Sequence, residues 1–195
     1  LHAFATIPEA VTAVTAGGVI HVDQGTYLHS GTLAVNKPVT IDGQGMGQTH
    51  ILKSGAPTGN FDEAIRITAD NVTFSDAKLG WQIHNTTDQG YVVITTADFT
   101  SINRVLFGSN ATGEGYRSAV VFAGSGVNGA DGLEVSDSIF EGRWGRAAIR
   151  DVDSGSGQNF LITRNEFRED HFRWGPIAIG PQDSTGTPNN FAFSG

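Results

Sequence analysis

The chain has 195 residues, enough for one domain with a sizeable core, and a net charge of −8 with only 16% charged residues. That balance excludes a general nucleic-acid binder, whose phosphate contacts need a basic surface, although an acidic chain can still hold a local basic site. No apolar run approaches the length needed to cross a bilayer, and with no cysteine there are no disulfides.

In chain order, "TIPEAVTAVTAGG" (6–18) reads as a short amphipathic helix. Thr6 and Glu9 have capping-box spacing, Pro8 lies in the first turn, and Gly17 with Gly18 are expected to stop it. Ile7, Ala10, Val11 and Val14 would face inward and cover whatever follows. A start at Leu1 without an initiator Met is expected of a chain that lost a signal peptide or was trimmed.

From residue 19 onward, short apolar runs alternate with Gly, Asn, Asp, Ser and Thr, the pattern of strands and tight turns. A repeat emerges when "ADNVTFSDAKLG" (69–80), "ADFTSINRVLFG" (97–108), "ADGLEVSDSIFEG" (130–142) and "GQNFLITRNEFRE" (157–169) are set in register. Val72, Thr100, Leu133 and Phe160 then align, at offsets of 28, 33 and 27 residues. Phe74, Ile102, Val135 and Ile162 form a second column, and Leu79, Phe107, Phe140 and Phe167 a third. A second strand keeps the same spacing in "AIRIT" (64–68), "VVITT" (92–96), "AVVFA" (119–123), "AAIRD" (147–151) and "IAIG" (177–180). A recurring coil with several strands and no intervening helix predicts a parallel β-solenoid, all-β and right-handed, of about six coils under an N-terminal helical cap. An antiparallel sandwich would not hold three apolar columns in one register. The whole chain, 1–195, is thus expected to be one domain, a cap at 6–18 and coils from 19. Because it stops at Gly195 inside a repeat, further coils or a partner are expected over the open end.

The stretch from Phe4 to Ile51, with "GGVIHV", "GTY" and "KPVTIDGQG" behind the helix, resembles the amino-terminal cap and first coils of right-handed parallel β-helix proteins of the pectin-lyase-like superfamily. "SIFEGRWGRAAIR" (138–150) and "NEFREDHFRWGPIAIG" (165–180) are similar to coils of alginate and chondroitin lyases of the chondroitinase B type. That resemblance implies a basic Lys and Arg pair and β-elimination; here Ala178 stands at the Arg position and Arg143 where Lys is typical.

The register also assigns the corners. Ser75, Asn103, Ser136 and Thr163 read as a structural hydrogen-bonded stack, and Asp76, Arg104, Asp137 and Arg164 as a charge ladder of alternating sign. One set of connections is small and acidic; the other carries Trp81, Trp144 and Trp174 with Arg143, Arg146, Arg168, His171 and Arg173. Indole faces stack on sugar rings and guanidinium forks bind carboxylate or sulfate, so Trp81, Trp144, Trp174, Arg146, Arg168 and Arg173 are the candidate contacts to an anionic polysaccharide. The bland alternative is that these tryptophans shield a sheet flank while the arginines pair with neighbouring acids. For catalysis, His171 between Arg168 and Arg173 is the candidate base, since flanking cations favour neutral imidazole. Arg143 and Arg150, the latter in an outward column with Arg66 and Ala178, would neutralise a uronate carboxylate. Asp151 and Asp153 are the candidate ligands of a Ca²⁺ ion, in a loop that reads equally as an ordinary turn. Two functions follow as expectations: an extracellular carbohydrate-active domain that binds and cleaves an anionic polysaccharide by β-elimination, or a non-catalytic solenoid of an adhesin, surface fibre or phage tailspike. Neither involves nucleic acid or a membrane.

Overall fold

The computed structural model describes residues 3–83, 89–108, 116–122, 130–151, 159–168, 176–178 and 191–194, with backbone alone for Phe122, Asp151 and 191–194. Helix α1 (Ile7–Ala13) starts as the sequence predicts: Thr6 is the N-cap and its Oγ1 accepts the Glu9 N–H at 3.3 Å. Ile7, Ala10 and Val11 are buried against the first coil. The helix ends a turn before the glycines, because Val14 swings to extended backbone while the Lys37 ammonium donates to the Thr12 and Val14 carbonyls at 2.9 and 3.1 Å.

The first coil is β1 (Gly18–His21), β2 (Gly25–His29) and β3 (Leu33–Val35), and the second is β4 (Val39–Asp42), β5 (Thr49–Lys53) and β6 (Glu63–Ile67). In the next two coils the first legs fuse, giving β7 (Thr73–Trp81) with β8 (Gln89–Thr95), then β9 (Ser101–Gly108) with β10 (Tyr116–Phe122). They separate again as β11 (Glu134–Ser136), β12 (Ile139–Glu141) and β13 (Ile149–Asp151), followed by β14 (Phe160–Thr163), β15 (Glu166–Arg168) and β16 (Ile177–Ala178). Strand β17 (Phe191–Ser194) continues the stack on β14. Every ladder is parallel, and the strands form an 11-stranded sheet and a six-stranded sheet ordered β3-β6-β8-β10-β13-β16. This is an all-β parallel solenoid with one short helix at its amino-terminal end. Among the described residues, no helix is long and apolar enough to cross a membrane.

The predicted columns are the observed registers. Phe74, Ile102, Val135 and Ile162 pair in succession, as do Leu79, Phe107, Phe140 and Phe167. All of these but the partly buried Phe167 are buried, and the three phenyl rings stack with centroids 5.0 and 4.9 Å apart.

The corners explain the polar columns. At the acidic corner each carboxylate accepts a backbone N–H from the next coil: Asp70 from Asp98 at 3.0 Å, and Asp98 from Asp131 at 2.9 Å. At the corner within the larger sheet, Asn103 donates to Ser136 at 2.7 Å and Ser75 to Asp42. The ladder residues Asp76, Arg104, Asp137 and Arg164 all have φ between 51 and 54°, the left-handed region that re-aims the chain from one leg to the next. For arginine that conformation costs roughly 1–2 kcal/mol, so the forks that Arg104 makes on Asp76 and Arg164 on Asp137 offset strain. Arg164 beside Asp137 holds that carboxyl below the usual range. Its contribution is therefore full above ordinary carboxylate pKa values and is lost as the pH falls through the lowered one. Arg164 is exposed and Asp137 half-exposed to water, so Asp137→Asn is expected to move the urea midpoint only slightly, and less still in about 1 M salt. A large loss that survives salt would contradict this.

Candidate functional site

The corner leading from the larger sheet to the smaller one is filled by aromatic rings. Tyr116 donates its hydroxyl to the Trp81 carbonyl and accepts the Trp81 N–H, both at 3.2 Å. Its ring lies 5.9 Å from that of Trp144, and burial pushes the phenol pKa up. Trp81 also donates Nε1–H to the Tyr91 carbonyl at 3.3 Å. Trp81 is 2% exposed and Trp144 0%. Both indoles therefore sit inside the solenoid and not on its flank, where the sequence reading placed them: stacked coils bring the corner residues of successive turns into one column, which closes over the rings. Trp174, His171, Arg173 and Asp153 lie outside the described residues, and Asp151 is described by backbone only.

The outer face of the six-stranded sheet carries the charge. Successive N–H groups of Ala119 and Val120 share the Ala148 carbonyl, the mark of a bulge, so outward positions fall three residues apart where simple alternation predicts two. One outward column is Glu63, Tyr91 and Ser118; the other runs Ala34, Arg66, Ile94, Val121, Arg150, Ala178. Arg150 does occupy the predicted outward column, yet it is only 5% exposed, beside the small apolar cluster of Tyr91, Ile94 and Val121. Arg66 Nε donates to Glu63 at 2.6 Å. Arg143 and Arg146, half-buried, lie on the approach to β13, and Arg117 lies at the entry to β10. Arg117, Arg143, Arg146 and Arg150 are each engaged by neighbouring groups.

Arg168 stands apart from them, at the end of β15 on the larger sheet. Its fork grips Glu166 at 2.8 and 3.0 Å, with Glu141 at 3.5 Å, so it serves an ion-pair network first. The sequence reading missed Phe61. It lies in the connection between β5 and β6, is 80% exposed, and has the Arg117 guanidinium 5.7 Å from its ring centre. No repeat column includes it, so coil-by-coil alignment gave no signal; a lone Phe in "SGAPTGNFDE" was the available clue. The sheet and its strand entries thus carry five arginines, four half-buried and Arg150 nearly buried, with the exposed Phe61 ring beside Arg117, chemistry suited to carboxylate or sulfate groups on a ring-shaped ligand.

No family model and no curated protein matches the sequence. Among solved structures, a PL6 family polysaccharide lyase from Pseudopedobacter saltans is 14% identical with a TM-score of 0.56, over 95% of this chain and 43% of that one. A pectin methylesterase in complex with a hexasaccharide is 15% identical with a TM-score of 0.50, over 86% of this chain and 63% of that one. The chain thus spans less than two thirds of either. At such identities the likeness concerns architecture alone, and with the parallel registers above it makes the fold a parallel β-solenoid of the kind these two proteins share.

Proposed function

We propose that this domain binds an acidic polysaccharide along the outer flank of its six-stranded sheet, in an extracellular or cell-surface setting, and cleaves it by β-elimination. One observation carries the reading: Arg66 and Arg150 share an outward column of the six-stranded sheet and Arg117, Arg143 and Arg146 lie at its strand entries, five of the 12 basic residues of a molecule with net charge −8. A solvent-facing Phe61 beside them adds the sugar-stacking surface that the buried tryptophans do not. The polysaccharide lyase and the hexasaccharide-bound esterase among the structural neighbours support the same substrate class. Elimination needs a base, for which His171 is the candidate, and a cation at the uronate carboxylate, for which Arg143 and Arg150 are. A binding-only role as an adhesin, fibre or tailspike is the second reading, favoured by the way Arg66 and Arg168 are already tied to glutamates.

Alginate, chondroitin sulfate, pectate and a neutral glucan separate these readings, each tested with and without Ca²⁺, whose proposed ligands are Asp151 and Asp153. Binding is expected for acidic polymers only, and an Arg117→Ala/Arg146→Ala double variant is expected to bind about tenfold more weakly. Equal retention on the neutral glucan would overturn the acidic substrate. Ultraviolet absorbance from an unsaturated uronate, lost in His171→Ala, would establish the lyase; binding without product would leave the second reading.

A further inference from the structure

Beneath the flank, His29, Lys53 and Trp81 stand in register on adjoining coils of the larger sheet, about 4.8 Å apart per step. His29 is 5% exposed. Its Nδ1–H donates to the Gly31 carbonyl at 2.7 Å, which fixes the tautomer and leaves Nε2 buried with no partner among the described residues. Lys53, also buried, lies 4.4 Å from the Trp81 ring and donates to Asp62 Oδ1 at 2.8 Å and to the Glu63 carbonyl at 2.9 Å. Trp81 thus acts here as the seat of a buried ammonium.

Asp62 closes the loop between β5 and β6. Its second oxygen accepts the N–H and hydroxyl of Thr58 at 3.1 and 3.2 Å. Within the same loop Pro57 packs on Gly90 so closely that a Cβ there would lie 2.6 Å from it. The Asn60 carbonyl accepts from Arg117 at 3.2 Å, and Phe61 follows. One partly buried ion pair therefore anchors the loop at Asp62, directly beside the Asn60 and Phe61 that reach Arg117 on the flank.

We propose that the Lys53–Asp62 pair is a clasp that holds loop 54–62, with Asn60 and Phe61, against the flank, and that a second proton on His29 releases it. This rests on the reading of the flank as the polysaccharide site and makes that site pH-controlled. Among the described residues the charged neighbour of His29 is Lys53 from β5, one coil on; Lys53 in turn holds Asp62 from the loop and the carbonyl of Glu63 from β6, whose carboxylate is already engaged by Arg66. A neutral imidazole is compatible with an ammonium one coil away. An imidazolium there sets two cations against each other out of water, and the flexible Lys53 arm, with the loop it holds, is what can yield. Burial first, and Lys53 after it, keep the His29 pKa below its ordinary value. The clasp is therefore complete above the ordinary imidazole value and loosens as the pH falls below it toward the lowered one. Asp62 does not confuse the step: burial pushes its carboxyl up, but Lys53 and Thr58 outweigh this and hold it below the usual range.

Amide hydrogen exchange of loop 54–62, without polymer and corrected for intrinsic rates, tests this at about pH 7.5 and about pH 5. Wild type is expected to lose protection roughly tenfold in the loop at the lower pH, while β5 and β8 keep theirs. His29→Asn, or His29→Gln should the first not fold, is expected to stay clasped at both values, and Lys53→Met to be open at both. Equal wild-type protection at the two values, the same loss in the His29 variants, or an opening spread over β5 and β8 would each overturn the clasp. Polymer affinity measured separately reports on the flank itself, so either idea can fail while the other stands.

Discussion

Trp144→Ala is expected to lower the unfolding free energy by about 3–5 kcal/mol, among the largest effects of any single replacement in this chain. The ring is fully buried and packs against Tyr116, whose hydroxyl in turn closes on both backbone groups of Trp81. Deleting it leaves a cavity at the corner where three successive coils meet, and little there can collapse to fill it, since Trp81 and Tyr116 are held by hydrogen bonds as well as by packing. Urea denaturation followed by far-ultraviolet circular dichroism measures the loss. A ring that served as a sugar platform would behave in the opposite way, with polymer affinity falling while the midpoint stayed in place. Such a result would return Trp144 to the surface role that its sequence neighbourhood suggested.

That contrast shows where sequence reading succeeds. Stacking in parallel register makes each coil repeat the demands of the last, so Phe74, Ile102, Val135 and Ile162 announce their shared column directly. The alternation of Asp76, Arg104, Asp137 and Arg164 is legible for the same reason, although their left-handed φ is not: an arginine in that region carries no compositional mark. The burial of Trp81 and Trp144 was hidden because a corner residue can turn inward or outward without changing the spacing of the strands beside it. The bulge at Ala119 and Val120 was equally invisible, since a three-residue step between outward positions is indistinguishable from alternation in a run as apolar as "SAVVF". Phe61, Lys53 and Asp62 form a third class. Phe61 and Asp62 lie in an excursion between β5 and β6 that no other coil repeats in sequence, and Lys53, at the end of β5, takes its role from the Asp62 there, so periodicity could not reach them. The parts of this molecule best suited to chemistry are those that depart from its repeat.

Phe140→Ala carries a comparable expected cost, about 3–5 kcal/mol, but should act differently. Phe140 is fully buried between Phe107 and Phe167, at 5.0 and 4.9 Å, so its removal breaks the stack on both sides at once. Phe167, partly buried and touching one ring of the stack, should cost less when truncated. Because each coil contacts chiefly its neighbours, the energy is lost at the interfaces of β12 with β9 and β15 and is shared weakly with the cap. The expected outcome is a split transition: coils from β12 onward open at lower urea, while those from α1 to β9 hold nearly to the wild-type midpoint. Hydrogen exchange resolved along the chain at intermediate urea would show this as protection lost beyond residue 130 and retained before 108. If instead all coils exchange together, the solenoid folds as one cooperative unit, and the flank arginines of β10 and β13 then depend on the cap as much as on their own neighbours.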